Sequence, residues 1–444
     1  MTLFRLPSSS ACVLFTFAIG PLAACGDPDG GRGDDGGPGV ITAGQGGTSN
    51  EDSEDGSATD GVGSADGTNG GGGLDESDDD GGLKWDVGAP DGEDACGGAG
   101  MGVGGMDFSY IWIANSPEGT ISKINTVTLV EEGRYVTRDT FGNPSRTSVA
   151  LSGHMAVANR SGGVTKFYAY DCPDPINTST GPGDVYPFGS DGCMAWSTNM
   201  AYSSQRPVAW TPGTFNETNC QWENEHVWSA GYNGGNTVDA ILLDGETGAI
   251  LEQVTVNGIN PDSFGAYGGA SDSAGNFWFS QLSVGRLVRV PIADPTAYEV
   301  WNMPIAGYGM AVDSQDRAWI CGNGGVARFN YALQTFDTQG TGVTGGSGRG
   351  CMADGTHIWL AGAANVRGVN LETMALDYNW PIPSYIHGTS IDFEGYIWGA
   401  SRDTRAYRVD PETGAVDTVD GLNSPYTYSD MTGFGLANSV GPQG

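Results

Sequence analysis

Seven residues stand at equivalent points of a repeating sequence, and their side chains are of the kind that bind rather than pack. Aligned on the short apolar run that follows each, they are Arg146 (SRTSVAL), Arg206 (QRPVAW), Tyr267 (AYGGASD), Tyr308 (GYGMAVD), Arg349 (GRGCMAD), His387 (IHGTSID) and Tyr428 (TYSDMTG). Tyr267, Tyr308 and Arg349 are spaced by 41 residues, as are His387 and Tyr428. Arginine offers planar, paired donors to a carboxylate or phosphate, and tyrosine offers an aromatic wall with a hydroxyl. Only 16 Lys and Arg lie beyond residue 100, so three at one register is a concentration. The pattern predicts a site for a small anionic or sugar-like ligand, or for a protein partner. The alternative is that these side chains bond to their neighbours and close a channel.

Acid–base chemistry has fewer candidates. Of four histidines, His154, His226 and His357 fall beside or on the Trp-bearing segments, and His387 alone occupies the recurring slot. It is a weak catalytic candidate, because a lone histidine is more often hydrogen-bonded in place than a general base. The recurrent Asp272, Asp313, Asp354 and Asp392 follow the apolar run and suit turn amides better than a metal. No cofactor is predicted from these residues.

The elements that position the slot follow from a second register mark. Tryptophan recurs at 112, 228, 278, 319, 359 and 398, with Met155 in the same place, and the last four intervals are 50, 41, 40 and 39 residues. A period near 40 is the length of one four-stranded propeller blade. In "YGMAVDSQDRAWICG" a short strand enters a polar turn and returns as the Trp-bearing strand; "GVARFN" and "LQTFDT" supply two more. Seven marks predict an all-β, seven-bladed β-propeller of four-stranded blades over residues 106–444. "YTYSDMTGFGLANSV" is expected to close the ring as the missing first strand of blade one. In a propeller the first strands line the central channel, which puts the seven slot residues at its mouth. Residues 171–225 exceed the repeat and are expected to be an ordered, cysteine-containing insertion.

Residues 1–25 read as an export signal whose "LAAC" ending resembles a bacterial lipobox, with Cys25 as the lipid-bearing residue. Residues 26–105 form a Gly/Asp-rich tether expected to be disordered; between 26 and 100 it carries 19 acidic against two basic residues. The whole chain has a net charge of −34, which argues against a nucleic-acid partner. The expected location is the cell envelope or surface, with the membrane reached through the lipid, and a monomer is expected. Without Cys12 and Cys25 six cysteines remain and no CxxC occurs, which favours disulfides over zinc. Cys321 and Cys351 lie on strands that should face each other across a blade interface and are predicted to pair. The pairing of Cys96, Cys172, Cys193 and Cys220 is left open.

The phrases "GMAVDSQDRAWI", "GGASDSAGNFWFSQLSVGRLVRV" and "GTSIDFEGYIWGASRDTRAYRVDPETG" resemble virginiamycin B lyase (streptogramin lyase) propellers and the wider NHL-repeat and gluconolactonase-like group. The resemblance implies the same propeller and, as an alternative function, a magnesium-dependent lyase or a gluconolactonase-like hydrolase. Such a lyase places His and Glu on channel-lining strands, and such a hydrolase holds calcium with Glu and several Asn or Asp. Here His387 has no matching second histidine and glutamate, and Asp430 is the one acidic residue near the slot. The chain therefore departs from both patterns.

Overall fold

A computed structural model describes residues 109–441 of the chain. The predicted signal, Cys25, the acidic tether and Cys96 lie outside the described residues.

Seven antiparallel sheets surround a central channel. In blade five, Gly309–Val312, Ala318–Gly322, Gly325–Asn330 and Thr335–Gln339 pair in chain order. The innermost strands of blades two to seven are Pro144–Val149, Ser204–Trp210, Ala266–Ser271, Gly309–Val312, Cys351–Ala353 and Ile386–Ile391, each touching the next around the ring. Blade one contributes only Tyr110–Asn115, Thr120–Asn125 and Glu131–Val136 to its ladder.

Residues 425–432 take the vacant inner place of blade one. Tyr426 N–H donates to Ala114 C=O at 3.0 Å and Trp112 N–H to Met431 C=O at 2.9 Å. On one side Met431 N–H reaches Ser390 Oγ of blade seven, and on the other Thr147 N–H of blade two reaches Ser429 Oγ at 2.9 Å. The ring is thus closed by the chain's end, as predicted, although the segment is too irregular for a continuous ladder. Phe434–Val440, read from sequence as part of that strand, is instead a helix. Gly433 has a left-handed φ of 90°, which turns the chain out of the strand. Asp430 accepts the N–H groups of Gly433, Gly435 and Leu436, so its carboxylate is spent on the helix start. Phe434, Leu436 and Ala437 are buried, and the helix packs on the inner strands of blades five to seven.

The six register tryptophans are at most 1 % exposed and Met155 is fully buried. At roughly 150–250 Å² of apolar area and about 25 cal/mol per Å², each ring contributes on the order of 4–6 kcal/mol of burial. In blades four to seven the turn aspartate clasps this ring. Asp272, Asp313, Asp354 and Asp392 accept the indole N–H of Trp278, Trp319, Trp359 and Trp398 at 2.6–2.9 Å. The other oxygen of each carboxylate accepts turn amides, such as Gln315 and Arg317 N–H on Asp313 at 3.0 Å. The repeated Asp and Trp are therefore one device, which ties the turn to the strand that it feeds.

Disulfides join Cys321 to Cys351 across blades five and six, with Cα atoms 6.3 Å apart, and Cys172 to Cys193, with Cα atoms 4.6 Å apart. Cys220 is also disulfide-bonded. The surplus chain around 171–225 is split between two blades. One part links the third and fourth strands of blade two, Val164–Phe167 and Met194–Thr198, and holds the Cys172–Cys193 bridge. The other is a small hairpin, Thr214–Asn216 with Gln221–Glu223, inside blade three. Met194–Thr198 and Ser204–Trp210 between them are ordinary blade strands. Paired disulfides of this kind form in an oxidising compartment such as the periplasm or the cell exterior.

Candidate functional site: the channel mouth

The first strand of a blade starts at the end of the propeller where the second strand finishes. Register pairs such as Pro144 with Asn159 and Ile386 with Ser401 fix this geometry. All seven slot residues stand at that end, and they meet. Tyr267 and Tyr428 stack at 5.6 Å, Tyr267 and Tyr308 meet edge to face at 5.2 Å, and Tyr308 and His387 do so at 5.0 Å. The arginines cover this aromatic centre. Arg146 lies over the rings of Tyr428 and Tyr267, Arg206 over Phe264 at 4.4 Å and Tyr267 at 4.9 Å, and Arg349 over Tyr308 at 5.4 Å.

Tyr426, Tyr385, Phe264, Arg160 and Arg402 also belong to the site but were not found from sequence. Tyr426 joins the set with its hydroxyl 3.0 Å from that of Tyr267 and 2.5 Å from that of Tyr308. Tyr385 Oη is 2.6 Å from His387 Nδ1 and accepts a hydrogen bond from Arg349 Nε at 3.1 Å. Tyr308 Oη bonds to His387 Nε2. Arg160 and Arg402, each one residue past a second strand, place their guanidinium groups over the Tyr426 ring at 4.1 and 5.4 Å. The signals were present: Tyr426 and Tyr385 each sit two residues before a slot residue. Arg160 and Arg402 stand at the same point after the Trp-slot strand in "VANRS" and "GASRD".

The hydroxyls and the imidazole form a closed set. Five hydrogen bonds join Tyr385, His387, Tyr308, Tyr426 and Tyr267. Four hydroxyls and one neutral imidazole supply five hydrogens. The count is met when Tyr385 donates to Nδ1, the imidazole carries its proton on Nε2, and the three remaining tyrosines donate around a ring. A neutral imidazole is also what the surroundings enforce. Burial, and then the charges of Arg402, Arg146, Arg349 and Arg160, push His387 well below its ordinary range. Burial raises the Tyr308 and Tyr267 hydroxyls, which stay protonated.

Among the described residues no carboxylate forms an ion pair with Arg146, Arg206 or Arg349, in a chain that carries 53 acidic residues. Magnesium does not fit the surroundings of His387. That ion takes oxygen ligands, mostly carboxylates, whereas both ring nitrogens here are held by tyrosines and the neighbouring charges are arginines. Among the described residues no three His, Cys, Asp or Glu side chains are grouped as metal ligands would be. His226 and His357 begin second strands and His154 precedes one, so all three lie at the opposite end.

The fold and site define a seven-bladed β-propeller with an arginine- and tyrosine-lined channel mouth. No protein-family model and no curated protein sequence matches the chain. Among solved structures it is similar to virginiamycin B lyase from Staphylococcus aureus, at 12% identity over 64% of this chain and 85% of that one, TM-score 0.45. It is also similar to a functionally unknown protein from Desulfotomaculum acetoxidans, at 10% identity over 72% of this chain and 98% of that one, TM-score 0.48. A dihydro-heme d1 dehydrogenase matches at 12% identity over 75% of this chain and 76% of that one, TM-score 0.46. At these identities the likeness concerns the propeller and assigns no chemistry to this chain.

Proposed function

We propose that the protein is an exported, lipid-anchored propeller that binds an anionic group, on a small ligand or a protein partner, at its channel mouth without turning it over. The observation that carries this reading is the convergence of Arg146, Arg206 and Arg349 on one tyrosine cluster with no carboxylate among the described residues ion-paired to them. Desolvated guanidinium groups without a counter-charge are stabilised by an incoming anion, and aromatic walls add contact area. Export is supported by the "LAAC" sequence ending at Cys25 and by the disulfides. The lyase or hydrolase alternative lacks a free base, because the hydrogen bonds of His387 are already committed to Tyr308 and Tyr385.

The test is a thermal-shift screen of the full chain with acetate, glucuronate, glucose 6-phosphate, inorganic phosphate and glucose, followed by mass spectrometry of each compound. Binding predicts a saturable rise in Tm with at least one anion, recovered unchanged. The rise should vanish in an Arg146→Gln/Arg206→Gln/Arg349→Gln variant. Conversion of any compound, or a rise that survives the triple substitution, would overturn the reading.

A further inference from the structure

The two halves of the mouth differ in what they leave unsatisfied. On the side of blades five to seven, Tyr308, His387, Tyr385 and Tyr426 use every hydrogen they have, and Arg349 is bound by Tyr385 and by the carbonyl of Gly348 at 3.1 Å. On the side of blades two and three, donors remain. Arg206 is 5 % exposed and makes no hydrogen bond among the described residues; its Nε is buried without a partner. Arg146 is 1 % exposed. Its two terminal nitrogens reach only the carbonyls of Ser145 and Tyr267, at 3.4 and 3.2 Å, and its Nε is likewise unpartnered. The buried hydroxyl of Tyr428, beside Arg146, has no partner either.

Both guanidinium groups lie over the same Tyr267 ring, Arg146 at 5.1 Å and Arg206 at 4.9 Å. Two buried cations sharing one ring repel each other. Burial first, and Arg206 in part, bring Arg146 down to about 9. Such a pair, with open donors and no carboxylate paired to it among the described residues, is the arrangement that an oxyanion relieves.

We propose that Arg146, Arg206 and the Tyr428 hydroxyl form an oxyanion seat on the blade-two and blade-three side of the mouth, for the carboxylate or phosphate of a small ligand. The seat rests on the binding reading of the mouth and adds where the charged group sits. Arg349 then stands outside the seat, and a neutral sugar without an acidic group has nothing to anchor it there.

The experiment is calorimetric titration of the full chain with acetate, inorganic phosphate, glucuronate and glucose, repeated on Arg206→Gln, Arg206→Lys, Tyr428→Phe and Arg349→Gln. At least one oxyanion should bind and glucose should not; acetate against phosphate tells which oxyanion the seat prefers. Arg206→Gln should weaken binding at least tenfold and Tyr428→Phe severalfold, and Arg349→Gln should weaken it less than Arg206→Gln does. Arg206→Lys keeps the charge but loses the fork and should fall in between, which guards against a misfolded Gln variant. If Arg206→Gln binds like wild type while Arg349→Gln abolishes binding, the seat is wrong and the mouth reading survives. If no oxyanion binds, or glucose binds equally well, the seat is overturned; if no variant alters binding, both fall.

Discussion

Replacing Tyr308 by Phe removes one hydroxyl and keeps the ring, so it isolates the hydrogen-bond set at the mouth. That hydroxyl bonds to His387 Nε2, Tyr426 and Tyr267. Without it three of the five bonds vanish, and one hydrogen is lost with them. Tyr267 and Tyr426 can still bond to each other, but His387 Nε2–H is left facing an apolar ring edge. A buried hydrogen bond is worth about 1 kcal/mol net, and an orphaned donor costs about 1–3 kcal/mol. The remaining Tyr267–Tyr426 contact offsets little, so we expect a loss of about 3 kcal/mol. For a domain of this size that lowers Tm by about 4 °C. Urea unfolding of the two proteins at pH 7.5 measures the difference. A second reading comes from ¹⁵N spectra of the imidazole, which should show the proton on Nε2 and a bare Nδ1 in wild type. A loss below about 0.5 kcal/mol would mean that water already serves these hydroxyls. A proton on Nδ1 would mean that the hydrogens are distributed differently. Either result refutes the closed set.

The clasp predicts that Asp313→Ala, which strips bonds from Trp319 and Arg317 Nε at 2.7 Å and from two turn amides, costs about 3–5 kcal/mol in urea unfolding. Trp112 Nε1 has no partner among the described residues, so Trp112→Phe should cost at least about 1 kcal/mol less than Trp319→Phe, whose indole N–H is clasped. Burial raises Glu225 from 4.5 to about 7, so the folded state holds its proton more tightly than the unfolded state and loses stability as pH rises from 4.5 to 7. Glu225→Gln should therefore gain on wild type by up to about 3 kcal/mol between pH 4.5 and pH 8, and a gain that falls with pH would contradict that burial. Breaking the Cys321–Cys351 bridge by a double Cys→Ala change, across a separation of 30 residues, should cost about 3–4 kcal/mol, read as a drop in the urea midpoint. The proposed lipid anchor predicts that Cys25→Ala moves the protein from the membrane fraction to the soluble one and abolishes incorporation of labelled fatty acid.

Much of the fold was legible because a propeller repeats its packing rule once per blade. Tryptophan at a fixed distance from an Asp-containing turn marks the second strand, and Trp278, Trp319, Trp359 and Trp398 all share the indole–carboxylate bond behind that rule. Where the rule lapses, legibility lapses too. Residues 425–432 have no blade of their own, and nothing in "GFGLANSV" distinguishes a strand from a helix that starts at a left-handed Gly433. The extra chain of blade two departs after its third strand and returns for a fourth, so length alone could not say where it was inserted. Tyr385 and Tyr426 stand just before slot residues, outside the regular strands, and Arg160 and Arg402 required knowing which strand ends meet.

The slot residues were visible for the opposite reason, since they vary where the rest of the repeat does not. Closing a channel asks only for groups that satisfy one another, and Tyr267, Tyr308, Tyr426, Tyr385 and His387 do this without any charge. Arg146 and Arg206 are not needed for that closure. Each brings a buried charge that burial disfavours, and each keeps a donor unpaired. Glutamine or methionine would fill similar space with a smaller penalty. Two desolvated cations in neighbouring blades, in a chain of net charge −34, are what the proposed oxyanion would complete.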